Sequence, residues 1–124
     1  MDITPPVAVD RQLIESYGNG GFRISGVSHS GSIIVFPWET MPWSVVDGDN
    51  FKAENFTNIR DAQGEVNVLL LGCGIRASFI GPELRQLVRD WGVVIETMDT
   101  GAACRTYNVL LSEGRDVAAA LIAV

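Results

Sequence analysis

The chain changes its hydrophobic period several times, and each change marks an element. From Phe22 to Val27 apolar and polar residues alternate, with Phe22 and Ile24 on one side and Arg23 and Ser25 on the other. That two-residue period belongs to a strand with one buried face. Ser32 to Phe36 is a continuous apolar strand, and Ser28-His29-Ser30-Gly31 between the two segments reads as a turn. Together they predict an N-terminal β-hairpin. Val66 to Leu71 is a dense apolar run, suited to a central strand covered on both faces. The period then lengthens. Leu84, Leu87, Val88 and Trp91 recur at i, i+3, i+4 and i+7 behind Pro82, with Glu83 in the first turn and Gly92 closing the segment. Proline at the first helical position and an acid beside the positive end of the helix dipole predict a helix there.

Val93, Val94 and Ile95 form a β-branched strand. Asp99 and Thr100 follow, and either can cap a helix by accepting a free backbone N–H. Cys104, Tyr107, Leu110 and Leu111 lie on one face of that helix, Arg105, Asn108 and Ser112 on another, and Gly114 ends it. Val117 to Val124 is an apolar closing strand. From Val66 onward the order is βαβαβ, which predicts an α/β class with a parallel or mostly parallel sheet and crossover helices.

The rest is less regular. Residues 1–16 read as an extended arm held by Pro5-Pro6 and docked through Val9, Leu13 and Ile14. The segment Ser16 to Gly21 carries a glycine cluster. Pro37-Trp38 and Pro42-Trp43 flank a bend, a short strand is expected at Ser44 to Val46, and Asp47 to Asn50 is a turn. Ala53 to Ala62 predicts a short helix with Phe56 and Ile59 inward, ended by Gly64.

At 124 residues the chain is expected to be one domain, residues 1–124, large enough to hold a core without disulfides or metal. The net charge of −6 and nine scattered basic residues argue against nucleic acid. No apolar run is long enough to span a membrane, and the start Met1-Asp2-Ile3-Thr4 shows no secretory signal. Cys73 and Cys104 have no metal-ligand spacing, so reduced thiols in a cytoplasmic compartment are expected. These features lead us to expect a monomer or weak dimer without cofactor or metal.

Five features could carry chemistry. Gly72-Cys73-Gly74-Ile75-Arg76-Ala77 follows a strand and satisfies G-x-G-x-x-A, with Glu96 at the end of the next strand. A dinucleotide site needs the glycines to open directly into a helix; here the helix waits until Pro82, and a strand-end turn is the favoured reading. Cys104 lies near a helix start beside Arg105, both of which lower a thiol pKa, but it falls on the apolar face of the helix, where a cysteine is inert. Cys73, between two glycines, is expected to be more exposed. His29 in its turn has no fixed partner for a triad. Ligands in open α/β sheets gather at the carboxyl ends of the strands, which makes Asp99, Thr100, Arg105, Thr106, Asn108, Gly72 and Gly74 candidates for a small-molecule or anion site; the competing reading is that Asp99 and Thr100 only cap the helix. Trp38, Met41 and Trp43 crowd into one short segment and are candidates for a protein interface, since Trp and Met are enriched in interface cores.

The run Met98-Asp99-Thr100-Gly101-Ala102-Ala103-Cys104-Arg105-Thr106-Tyr107-Asn108-Val109-Leu110-Leu111-Ser112-Glu113-Gly114-Arg115, with Val117 to Ile122 closing the chain, resembles the family of mitochondrial respiratory complex I assembly factor 3 and its bacterial relatives. Tyr17 to Gly26, Gly31 to Trp38 and Leu69 to Gly74 support the resemblance, which covers nearly the whole chain. It implies a compact α/β domain with a central mixed sheet and flanking helices. It also implies a non-catalytic binding protein, an assembly or accessory factor for the NADH–ubiquinone oxidoreductase, with subunits of that complex as partners. Asp99, Thr100, Ala103, Cys104, Thr106, Asn108, Glu113, Gly114 and Arg115 match the mitochondrial motif. Arg105 does not, and Tyr107 stands where the mitochondrial form has phenylalanine. These departures and the absent presequence fit a bacterial member. The resemblance carries over no catalytic residues, and the competing class is a small enzyme or ligand-binding module built on the Asp99–Arg105 crevice.

Overall fold

The computed structural model describes residues 11–124. The expected arm therefore lies mostly outside the described residues, with Pro5, Pro6 and Val9; its last residues enter a strand, and Ile14 is buried. Strands β1 (Ile14–Gly18), β2 (Gly21–Ile24) and β3 (Val27–Ser30) form an antiparallel meander. Its two turns are Asn19-Gly20 and Ser25-Gly26, with φ of 53° and 77° at the first and 44° and 87° at the second. Positive φ at both central residues gives the backbone twist that joins tight hairpin strands. The N-terminal hairpin is thus present, but it reverses at these two turns rather than at Ser28 to Gly31. His29 lies inside β3, opposite Phe22 and half-buried.

The apolar segment at Ser32 to Phe36 joins a second sheet instead. There β4 (Ile33–Val35) pairs with β5 (Thr40–Pro42) and with the closing strand β8 (Val117–Leu121), antiparallel to both. Ser44 to Val46 is not a strand. The Trp43 N–H still reaches the Ser32 carbonyl at 2.9 Å, but β4 ends there and leaves no edge to pair with. A 3-10 turn (Ala53–Phe56) runs into α1 (Thr57–Asp61) and buries Phe56 and Ile59 as the pattern predicts.

From β6 (Val68–Gly72) the chain continues through α2 (Pro82–Asp90), β7 (Val94–Met98) and α3 (Thr100–Ser112) to β8. The five-stranded mixed sheet has the order β5-β4-β8-β6-β7, with β6 parallel to both β7 and β8. Central strands read as unbroken apolar runs because each successive side chain enters a different core. Leu69, Leu71, Ala118, Ala120 and Ile122 pack with Val88 of α2, while Leu70, Val117, Ala119 and Leu121 pack with Ala103, Tyr107 and Leu111 of α3. The chain moves outward from β6 to β7 and back past β6 to β8. Right-handed crossovers running in opposite directions put their helices on opposite faces of a sheet, so α2 and α3 sandwich it.

The parallel strands all end at one pole, which carries Gly72, Gly74 and Asp99. β4 runs the other way, with Val35 opposite Ala119 and Ala119 opposite Leu70, so the β4–β5 turn with Trp38 lies at the far pole.

Candidate functional site

After β6 the chain turns toward the α2 face, and after β7 toward the α3 face. A gap between two such strand ends is where an open α/β sheet would hold a ligand. Here it is sewn shut. The Thr100 hydroxyl donates to the Ile122 carbonyl at 2.7 Å and accepts the Gly74 N–H at 3.0 Å. The Thr100 N–H donates to the Gly74 carbonyl at 2.8 Å, Cys73 N–H to Met98 carbonyl at 2.9 Å, and Ile122 N–H to Gly72 carbonyl at 2.9 Å. Gly72 lacks a Cβ of necessity, since one built there would lie 3.0 Å from the Thr100 Cα and 2.9 Å from Leu121. Asp99 is the N-cap: its Oδ1 accepts the Ala102 N–H at 2.8 Å. Thr100, wholly buried, is not a cap but a tie between the ends of three strands.

The first helical turn is covered as well. The Tyr17 phenol lies across it, so close that a Cβ on Gly101 would sit 2.6 Å from its oxygen. Arg105 is exposed, and its Nη1 donates to that phenol oxygen at 3.0 Å; among the described residues it is in no ion pair. Asn108 grips β1, giving its Nδ2–H to the Ile14 carbonyl at 2.7 Å and accepting the Ile14 N–H at 3.0 Å. Successive helical residues differ by about 100°, so Thr106, two residues from Asn108, projects from the other flank of α3. The structure therefore brings Gly72, Gly74, Asp99 and Thr100 together, places Arg105 and Asn108 on β1, and leaves Thr106 apart. A shallow cleft of roughly 330 Å³ remains between β1 and α3, lined by Glu15, Tyr17, Cys104, Arg105 and Asn108 among others.

Cys104 is buried, and desolvation pushes its thiol up to about 12, against the smaller opposing pull of Arg105. Cys73, expected to be exposed between its glycines, is buried too, because Ile122 and the loop at Gly48 close over the strand end. Burial likewise raises the pKa of Tyr107, whose hydroxyl donates to the Gln12 carbonyl at 2.8 Å. A raised folded pKa means stability that is complete below the ordinary thiol value of 9.0 and lost as the pH rises toward the folded value. Urea unfolding should show stability falling by up to about 1.4 kcal/mol per pH unit, from about pH 9 for Cys104 and from about pH 10 for Tyr107. Cys104→Ala should remove the cysteine's share of the slope.

Beside the closed crevice, large apolar side chains are exposed. The loop between β6 and α2 runs over residues 73–81, and it holds Ile75 and Phe79 at 83% and 86% exposure while Ile80 next door is 2% exposed. The loop at 46–49 packs against it: Gly48 rests on the Cys73 carbonyl, and Asp49 accepts from the Ser78 hydroxyl at 3.4 Å. Val46, 83% exposed, belongs to this neighbouring loop. The seven residues between Gly74 and Pro82 that remove the dinucleotide geometry also present this patch. Sequence reading did not single these residues out; the one signal was three large apolar residues, Ile75, Phe79 and Ile80, inside a glycine-bounded loop.

The tryptophans divide. Trp43 is buried, with its indole N–H donating to the Asn55 carbonyl at 2.8 Å and its ring stacked 6.0 Å from Phe51. Trp38 is exposed and stacks on Phe36 at 4.9 Å. Met41 is half-buried on β5. Among the described residues no buried side-chain polar atom lacks a partner, and no group of three or more His, Cys, Asp or Glu could hold a metal. Among the described residues no helix is long and apolar enough to cross a membrane.

The fold and the closed pole define an α/β domain with a mixed sheet between two helices, whose strand-end crevice is filled by the chain itself. The chain belongs to the family described as protein of unknown function DUF498/DUF598, which matches residues 14–122. An uncharacterized protein of Rhodobacter capsulatus is 38% identical over 109 residues, covering 88% of this chain and 82% of that protein. The NADH dehydrogenase [ubiquinone] 1 alpha subcomplex assembly factor 3 of Xenopus tropicalis is 34% identical over 110 residues, covering 89% of this chain but only 60% of that protein. The chain thus spans about three-fifths of that assembly factor. In structure it is similar to a Bartonella henselae protein described as an outer membrane protein, with a TM-score of 0.85 at 40% identity over 92% of this chain and 96% of that one. It is also similar to a Mth938-like domain of Bordetella pertussis, with a TM-score of 0.77 at 29% identity over 98% and 92%. These likenesses bear out the compact α/β fold and the family that the α3 motif resembles.

Proposed function

We propose that the protein is an assembly or accessory factor for a respiratory-chain complex, acting in the cytoplasm as a monomer or weak dimer and binding a polypeptide surface of a complex subunit without catalysis. The observation that carries this reading is the pair Ile75 and Phe79 in one loop, exposed at 83% and 86%, with Val46 of the loop packed beside it exposed at 83%. Aromatic and aliphatic residues presented together on an exposed loop mark an interaction site. The polar groups of the crevice itself are bonded to one another, which leaves the exposed apolar side chains as the main thing the pole has to offer. Asp47 and Asp49 are exposed in the neighbouring loop and Arg76 is exposed between Ile75 and Phe79 in the chain, so the pole's occupant is apolar with polar groups alongside. The assembly-factor relative supplies the class of partner.

A photo-crosslinking amino acid placed at Phe79 tests this in the protein's own cells. The expected result is an adduct with a subunit of the NADH–ubiquinone oxidoreductase, absent when the same group stands at exposed Arg115. Adducts only with unrelated proteins, or equal adducts from both positions, would overturn it.

A further inference from the structure

The far pole carries a second, chemically different surface. The β4–β5 turn lifts Trp38 onto Phe36, so one face of the indole is stacked, centroid to centroid at 4.9 Å, while the residue stays 42% exposed. Below it runs a groove of roughly 300 Å³ lined by Phe36, Trp38, Met41 and Ala62 and rimmed by Glu39, Asp61 and Glu65. Met41 is held in place, its sulfur accepting from Asn58 Nδ2 at 2.8 Å. Arg60 at the groove's edge pairs with Asp61 at 3.2 Å; among the described residues Glu39 and Glu65 are in no ion pair. An aromatic face, a polarisable thioether and two carboxylates outside any ion pair in the lining of one groove match one kind of side chain. A planar cation stacks on an indole and forks hydrogen bonds to a carboxylate, and arginine does both where lysine offers only a point charge.

We propose that this groove binds an arginine side chain of a partner polypeptide, with the guanidinium on the open face of Trp38, its edge toward Glu39 and Glu65, and its methylenes over Met41. An apolar neighbour of that arginine covers the exposed rim of the Trp38 ring. The site lies at the opposite end of the sheet from the Ile75–Phe79 tip and does not depend on it. A partner that bound both would be clamped along the length of the sheet, and two linked contacts raise affinity without any new one.

The test titrates the whole protein with the capped tripeptide Leu-Arg-Leu and with its Leu-Gln-Leu counterpart, reading the Trp38 indole N–H and the Met41 methyl by NMR. The arginine peptide should shift both signals and saturate in the millimolar range, while the glutamine peptide should bind at least tenfold more weakly. Trp38→Leu, and separately the fold-neutral pair Glu39→Gln with Glu65→Gln, should each weaken binding about fivefold or more, and added salt should weaken it further. Equal shifts from both peptides, no shift at all, or unchanged affinity in the Gln variant would each overturn the proposal. Trp43 and Trp91 indole signals should stay still, and their movement in place of Trp38 would place the ligand elsewhere and overturn it too.

Discussion

Thr100→Val should lower stability by about 3 kcal/mol, and the melting temperature by about 12 °C, which makes it the most damaging near-isosteric change at the strand-end pole. Valine fills the same volume, so no cavity opens. What changes is that the Ile122 carbonyl loses a donor at 2.7 Å and the Gly74 N–H an acceptor at 3.0 Å. Each stranded partner beside a wholly buried residue costs about 1–3 kcal/mol. Thr100→Ser keeps the hydroxyl and should recover most of the loss. Thermal unfolding followed by circular dichroism measures both. A Thr100→Val protein melting within about a degree of the parent would show that the pole is not held by this tie, and the crevice would again be free for a ligand.

That residue also shows where sequence reading stops. Asp99 was legible as one of two candidate caps because its partner, the Ala102 N–H, is three residues away. The Thr100 partners are 26 and 22 residues away, and no local pattern points to them. The apolar runs at Val66 to Leu71 and Val117 to Val124 were legible because burial on both faces leaves no room for polar residues. The first hairpin was misplaced because its register depends on Asn19 and Ser25 taking positive φ, and because Ser32 to Phe36 finds its partner in β8, more than eighty residues on. The interface signal at Trp38, Met41 and Trp43 was compositional. Composition could not tell that Trp43 turns inward to Asn55 while Trp38 turns outward. In the same way Phe79 and Ile80 are adjacent in sequence and lie at opposite extremes of exposure.

The double substitution Ile75→Ser with Phe79→Ser should separate folding from function. Neither side chain packs in the core, so the change in stability should stay within about 0.5 kcal/mol, or about 2 °C in melting temperature. Truncating two anchors at the centre of an interface commonly removes several kcal/mol of binding, and a loss of about 3 kcal/mol weakens a complex more than a hundredfold. The variant should therefore be folded, abundant and inert. Thr100→Val should behave in the opposite way, poorly stable yet competent at a temperature where it remains folded. The pairing matters because a merely unstable protein and a protein without its docking surface give the same phenotype when examined singly.

The most direct measurement is the amount of fully assembled NADH–ubiquinone oxidoreductase in membranes of cells deleted for this protein, resolved on native gels and supplied in turn with the parent chain, the Ile75→Ser/Phe79→Ser variant and Thr100→Val at a permissive temperature. The account predicts full complex with the parent and with Thr100→Val, and the level of the uncomplemented deletion with the loop variant. Full assembly with the loop variant present at normal abundance, or an undiminished complex in the deletion itself, would contradict it.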